Sequence, residues 1–408
     1  MGLGMDRLEL EMMVAGGVCA PEGFLAGGIT CGIKRPDLPK KDLALIVSEQ
    51  PCTAAAVFTK NQVAAPPVRL SRIRLAEGAP RAIVANSGNA NAATGEQGMR
   101  DAEEMCALAA AELGLRPEDV FVCSTGIIGK PVPMERIRSR FGDLRQALHR
   151  NGSEAAAEAI MTSDTRPKEF AVEIEGGIRI GGIAKGAGMI RPDMATMLAF
   201  LTTDAAVDRD TLQAATVEAV KQSFNCITID GDTSTNDTVI VLANGVKGSV
   251  SREAFQRGLN RVMLELAHRI VADGERVTKF VTVEVKGAKS DADARAVADA
   301  VANSNLCKAS WNGEDPNWGR ILHAVGYAKA EIVEEKVDIF FGALQATRNG
   351  LATETPLLDL IEIVRQPKFH VTIDLNLGDG HALVYSSDLS PEYVDFNRRE
   401  YSLVNQKA

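Results

Sequence analysis

Hydrophobic positions along the chain fall into short apolar or alternating runs separated by stretches of helical periodicity. RAIVANSG (81–88) and VFVCSTG (120–126) predict strands. Between them, MRDAEEMCALAAAEL (99–113) repeats its apolar residues at helical spacing until Gly114 and Pro117 stop it. FAVEIEGGIRIGGIAKG (170–186) alternates on both sides of Gly176-Gly177, the pattern of a hairpin. MLAFLTT (197–203) and TVIVLANG (238–245) predict further strands, with helices over 209–224 and 252–274. A second round opens at FVTVEV (280–285), continues with an Ala-rich helix around 290–304 and adds strands near 328–340 and 369–377. The alternation predicts a mixed α/β fold, and the new round suggests domains 1–280 and 281–408. No internal repeat or low-complexity linker marks the join.

Composition narrows the function. The 408 residues suffice for two or three domains, and 45% hydrophobic content is that of a globular protein. The 45 basic and 54 acidic side chains are interspersed and net to −9, so no nucleic-acid footprint is expected and small molecules are the expected partners. Acids interrupt the apolar N-terminal stretch, and no window approaches about 18 uninterrupted apolar residues. The expected location is therefore cytoplasmic, with no membrane partner. Seven cysteines (Cys19, Cys31, Cys52, Cys106, Cys123, Cys226, Cys307) are scattered and never in C-x-x-C spacing, which predicts reduced thiols rather than disulfides or a zinc site.

Chemistry concentrates in KGAGMIRPDMATML (185–198), where Gly186, Gly188 and Pro192 allow the backbone ahead of Thr196 to bend sharply. Two readings stand side by side. Thr196 is a good strand residue on steric grounds. Alternatively, a bent peptide bond before a hydroxyl favours an N-to-O acyl shift, and cleavage there makes Thr196 a new N-terminus. Its freed α-amine, with a pKa near ~8, then supplies the base that a neutral hydroxyl nucleophile needs. STGIIG (124–129) is either a plain β-to-α turn or a pair of oxyanion donors, the Thr125 hydroxyl and the Gly126 N–H.

Other motifs are weaker. IDGDTSTNDT (229–238) places Asp230, Asp232 and Ser234 as in a calcium loop, but Thr235 stands at the glycine position and Val241 at the bidentate glutamate position. GGIAKGAG (181–188) lacks the third glycine of a dinucleotide loop and the closing Lys-Ser/Thr of a phosphate loop. The five histidines (His149, His268, His323, His370, His381) are dispersed and read as structural or solvated. Asn86, Asn89 and Asn91 read as turn formers, or as groups orienting a polar substrate. Neither a metal nor a cofactor is expected.

FTKNQVAAPPV (58–68), NSGNANA (86–92), STGIIG (124–129), MTSDT (161–165), KGAGMIRPDMATML (185–198), DGDTSTNDT (230–238), DGERVTKF (273–280) and GEDPNWGRI (313–321) follow one another in order. By these motifs, nearly end to end, the chain resembles the ArgJ family, the ornithine acetyltransferases (glutamate N-acetyltransferases) of the cyclic arginine pathway. The resemblance implies a DmpA/ArgJ-like α-β-β-α sandwich with a smaller C-terminal α/β domain whose tail returns to the active site. It also implies a self-processed enzyme of N-terminal-nucleophile type. The precursor would cut between Ala195 and Thr196 into α (1–195) and β (196–408) chains that assemble as α2β2.

By the same resemblance, Thr196 is the nucleophile, and Thr125 and Gly126 form the oxyanion hole. Thr162, Lys185, Thr196, Glu275, Asn397 and Ser402 fall on substrate-binding positions. Lys185 would meet the α-carboxylate, while Glu275 would face the ornithine side-chain ammonium or handle the proton of the incoming amine. The implied reaction moves acetyl from N2-acetylornithine to L-glutamate through acetyl-Thr196, and the sequence leaves open whether acetyl-CoA is a second donor. The chain departs from the family at Arg276-Val277, where Gly-Ala is usual, and in its tail, where Asn397 is one residue further from Tyr401-Ser402. A self-processing aminopeptidase or amidase of the same scaffold, or a non-enzymatic ligand-binding α/β protein, are the competing functions.

Overall fold

The computed structural model describes residues 11–191 and 197–405, with side chains described as far as Arg398. The chain forms two compact units, one of 1–186, 192–225 and 233–270, the other of 187–191, 226–232 and 271–408.

The first unit contains strands β1 (Met12–Val14), β2 (Phe24–Ile29), β3 (Leu43–Ser48), β4 (Thr53–Phe58), β5 (Ala82–Asn86), β6 (Val120–Ser124), β7 (Lys168–Glu173), β8 (Arg179–Lys185), β9 (Leu198–Ala205) and β10 (Thr238–Gly248). They build a six-stranded sheet, β1-β7-β8-β9-β10-β4, and a four-stranded sheet, β2-β3-β5-β6. All neighbours are antiparallel except β9 with β10 and β5 with β6.

Continuous apolar runs form these strands because both faces of each sheet are buried. In β3, Leu43, Leu45 and Val47 enter one core while Ala44 and Ile46 enter another. Val120 and Val122 of β6 follow the first set, and Phe121 and Cys123 follow the second. The second core is the layer between the sheets, where these side chains meet Ala54, Ile183, Leu198, Phe200 and Ile240 of the larger sheet. Helix Ser153–Ala159 enters that layer on small residues, Ala156, Ala157 and Ala159. A Cβ on Gly28 of β2 would lie 2.1 Å from the Ala155 carbonyl oxygen, so the close approach requires glycine.

Helices Pro66–Glu77 and Gly95–Leu113 cover the outside of the smaller sheet through Leu70, Ala102, Met105, Cys106 and Ala109. Helices Arg209–Gln222 and Arg252–Ala272 cover the outside of the larger one: Gln213 bonds both the N–H and C=O of Ala56, and Leu266 lies against Gly182. The result is the expected α-β-β-α sandwich.

The second unit carries β11 (Phe280–Ala288), β12 (Asp338–Phe341), β13 (Leu344–Arg348), β14 (Leu351–Ala352), β15 (Lys368–Asp374) and β16 (Gly380–Ser387), ordered β14-β13-β12-β15-β11-β16. Ser290 caps helix Asp291–Ala302 by accepting from the Asp293 N–H, and Ala294, Val297, Ala298 and Val301 give it one buried face. Helix Pro391–Asn405 ends the described chain.

The strand expected near 328–340 is confined to Asp338–Phe341, because the chain ahead of it turns through a short 3-10 segment at Glu334–Lys336. Strands β2 and β4 carry a weak hydrophobic signature, since Gly and Ala fill much of FLAGGI and TAAAVF. Among the described residues, no helix is long and apolar enough to cross a membrane. Phe200→Ala, emptying a fully buried ring site between the sheets, is expected to cost about 3–5 kcal/mol. Thermal denaturation checks this, and an unchanged midpoint would show that the layer tolerates a void.

Candidate active site

Asparagines build the turn beyond β6. The Thr125 N–H donates to the Asn86 carbonyl (3.0 Å), and the Asn86 side chain accepts from Ser124 Oγ (2.6 Å) and donates to the Asn89 carbonyl (2.9 Å). Asn89 donates onward to the Lys130 and Pro131 carbonyls, and Asn236 donates to the carbonyls of Ala90 (2.6 Å) and Ser124 (2.9 Å). Of the two readings of NSGNANA, the geometry supports turn formation. Gly126 sits in this turn at φ +133°, where a Cβ would lie 2.4 Å from the Gly88 carbonyl carbon, so no larger residue fits without moving backbone.

Lys185 ends β8 and shares the face of Ile183, which points into the layer between the sheets. Thr125 lies just past the end of β6, in register with the inward-facing Phe121 and Cys123. The two side chains meet at the rim, with Lys185 Nζ donating to Thr125 Oγ1 at 3.2 Å.

Beside them lies a buried charge cluster. Asp164 accepts from Lys168 Nζ (2.7 Å), the Gly186 N–H (2.7 Å) and the Thr162 N–H (2.9 Å), and the Asp164 and Lys168 side chains are fully enclosed. Burial by itself would raise the Asp164 carboxyl, but Lys185 and Lys168 outweigh it and hold the group far below the ordinary carboxylate range. Lys40 Nζ donates to the Thr162 carbonyl at 2.6 Å. Asp237 shows the opposite balance: enclosed at 2% exposure, it is pushed well above the usual range by burial, against weaker pulls from Ser234, Lys185 and Thr59. One of its carboxyl oxygens has no partner among the described residues. The adjacent Thr238 N–H donates to the Met197 carbonyl at 2.9 Å, aligning β10 with the start of β9.

In the second unit, Asn397 donates its side-chain amide to Glu275 Oε2 (3.0 Å) and to the Tyr393 carbonyl one turn earlier (3.1 Å). The Glu275 N–H donates to the Ala187 carbonyl (2.8 Å), and a Cβ on Gly188 would lie 2.5 Å from the Glu275 carboxyl group. Asp230, part of the calcium-like motif, accepts from the N–H groups of Met189 (2.6 Å) and Ile190 (2.8 Å) and from the Tyr393 hydroxyl (3.2 Å). Arg276 takes φ +57°, a conformation natural to glycine, and lays its guanidinium 5.0 Å over the Phe396 ring.

The structure thus joins Thr125, Gly126, Thr162 and Lys185 in one unit, and Glu275 with Asn397 in the other. Ala195 and Thr196 lie outside the described residues. Ser402 falls within the C-terminal helix, and its side chain is likewise outside the description. Sequence reading did not single out Asp164, Asp237 or Asn236, although each lies inside a quoted motif. Asp164 lies in a loop and Lys168 opens β7, so no helical spacing announces the pair, and burial, which makes it matter, has no sequence signature.

The model of the ArgJ family matches residues 25–402. The arginine biosynthesis bifunctional protein ArgJ of Symbiobacterium thermophilum is 49% identical over 394 residues, covering 94% of this chain and 98% of that one. The protein of the same name from Geobacter sulfurreducens is 48% identical over 387 residues, covering 92% and 98%. Among solved structures, the ornithine acetyltransferase of Mycobacterium tuberculosis in complex with ornithine is 41% identical, with a TM-score of 0.43 over 45% of this chain and 98% of that chain. A match over this span, with identities near one half, defines the class: the chain belongs to the ArgJ family.

Asp164→Asn is expected to cost about 3–5 kcal/mol at neutral pH by breaking the buried ion pair with Lys168, and adding Lys168→Met should recover part of the loss. The folded carboxyl is depressed, so its stabilising contribution is complete above the unfolded pKa of about 3.9 and disappears as pH falls toward the folded value. Chemical denaturation between pH 7 and pH 2 checks this: the acid-dependent loss should be smaller in Asp164→Asn, and an identical pH profile would contradict the assignment.

Proposed function

We propose that the chain is a glutamate N-acetyltransferase that moves acetyl from N2-acetylornithine to L-glutamate, releasing ornithine and N-acetylglutamate for cyclic arginine biosynthesis. The observation that carries this reading, beside family membership, is the rim where Lys185 Nζ meets Thr125 Oγ1 next to the glycine-only position 126. A cation and a hydroxyl meet there beside a turn that only glycine fits, which supports the rim as the place where an acyl-transfer oxyanion would be held.

Self-cleavage between Ala195 and Thr196 frees the Thr196 α-amine. That amine takes the proton of the Thr196 hydroxyl as the oxygen attacks the acetyl carbonyl. The tetrahedral oxyanion rests on the Thr125 hydroxyl and the Gly126 N–H. Collapse breaks the C–N bond, the proton passes to the leaving α-amine of ornithine, and acetyl-Thr196 remains. The glutamate α-amine then attacks the ester, gives up a proton to the Thr196 oxygen and leaves as N-acetylglutamate. Lys185 and Thr162 bind the amino-acid part that both substrates share, and Glu275, Asn397 and Ser402 belong to the remainder of the substrate site. No cofactor enters this cycle.

The relatives are named bifunctional, which supports acetyl-CoA as a second donor in the same ester chemistry. The reading includes an α2β2 assembly of the processed chains and a cytoplasmic location. Hydrolytic release by an amidase of the same scaffold is the competing outcome.

Thr196→Ala should abolish both cleavage and transfer, leaving one intact 43.5 kDa chain by mass measurement, and a normally cut, active variant would remove Thr196 from the mechanism. Thr125→Ala should fold and cut but turn over about 10²-fold more slowly. Assay with acetylornithine, with and without glutamate, separates the two outcomes: acetyl release indifferent to glutamate would identify a hydrolase. Native mass measurement tests the tetramer.

A further inference from the structure

The Lys185–Thr125 contact has a direction. An ammonium group has donors and no lone pair, so the 3.2 Å contact is an N–H donated to the threonine oxygen. The Thr125 hydroxyl proton must then point elsewhere, and among the described residues it donates to no protein acceptor. Left to itself, a threonine hydroxyl rotates to the nearest acceptor, and a donor needed only when negative charge develops is effective when its direction is set beforehand.

We propose that Lys185 is a positioning residue for the oxyanion hole: by donating to Thr125 Oγ1 it turns the Thr125 hydroxyl proton toward the developing oxyanion. This role rests on the acyl-transfer reading above and is separate from binding the substrate carboxylate.

The surroundings support it. Lys185 is held at both ends of its backbone segment, by the β8 ladder up to Ala184 and by the Gly186 N–H, which is fixed to Asp164 at 2.7 Å. The Nζ therefore projects from an anchored strand end toward a turn that is itself anchored by Asn86 and Asn236.

The test is a double-mutant cycle of Lys185→Met and Thr125→Ala, read as the rate at which cleaved enzyme becomes acetylated. It is run with N2-acetylornithine and with N-acetylputrescine, which lacks the carboxylate. Rates are normalised to the fraction of cut β chain by mass, and Lys185→Ala replaces Lys185→Met should the latter not fold or cut. Lys185→Met is expected to slow acetylation by about 10-fold or more on both donors, and to raise KM only for N2-acetylornithine. In the Thr125→Ala background the same change should alter the rate less than about twofold, because there is no hydroxyl left to orient. A rate effect seen only with the carboxylate-bearing donor, or one that is undiminished in Thr125→Ala, would overturn the proposal and reduce Lys185 to a carboxylate binder. A parent enzyme that forms no acetyl-enzyme from either donor would instead overturn the functional reading, and the proposal with it.

Discussion

The buried Asp164 carboxylate is the interaction on which the local course of the first unit's backbone depends. It is enclosed with Lys168, and burial of this kind is tolerated only when every charge has partners. Asp164 meets that demand by collecting a side-chain ammonium and two backbone N–H groups from three chain segments, the loop at Thr162, the start of β7 and the end of β8. The same bonds that satisfy the charge fix the course of the backbone at Lys185-Gly186. Stability and site geometry are therefore one requirement at this position.

Around that anchor the sandwich works as a frame. Side chains alternating between two cores lock the register of every strand, so the ends of β6 and β8 occupy defined places at the rim. The loops that carry Thr125 and Gly126 are then held by asparagine side chains bonded to backbone carbonyls. Two buried acids have opposite character because of the strength of what surrounds them: Lys168, Lys185 and backbone donors outweigh burial at Asp164, whereas the weaker pulls of Ser234, Lys185 and Thr59 do not at Asp237.

Much of the architecture was legible along the chain. The strands at 81–88, 120–126 and 238–245, the helices at 209–224 and 252–274 and the hairpin around Gly176-Gly177 all appear close to their expected places. Strands β2 and β4 escaped because Gly and Ala dilute their hydrophobic signal, in β2 at Gly27 and Gly28 where neighbouring backbone approaches closely. The departure at Arg276 also acquires a reason: the backbone after Glu275 adopts a left-handed conformation that glycine enters freely, and here an arginine accepts it and stacks on Phe396.

The sequence by itself determined the alternation of elements, the family and the residue types available for acyl transfer, because periodicity and motif order are properties of the linear chain. It did not determine which of those residues touch. That Thr125 and Lys185, 60 positions apart, share a hydrogen bond, and that Asp164 joins Thr162, Lys168 and Gly186, follow from the packing of two sheets face to face. Burial, the direction of a donated proton and the resulting shifts in acidity exist only once that packing has removed water from around the charges.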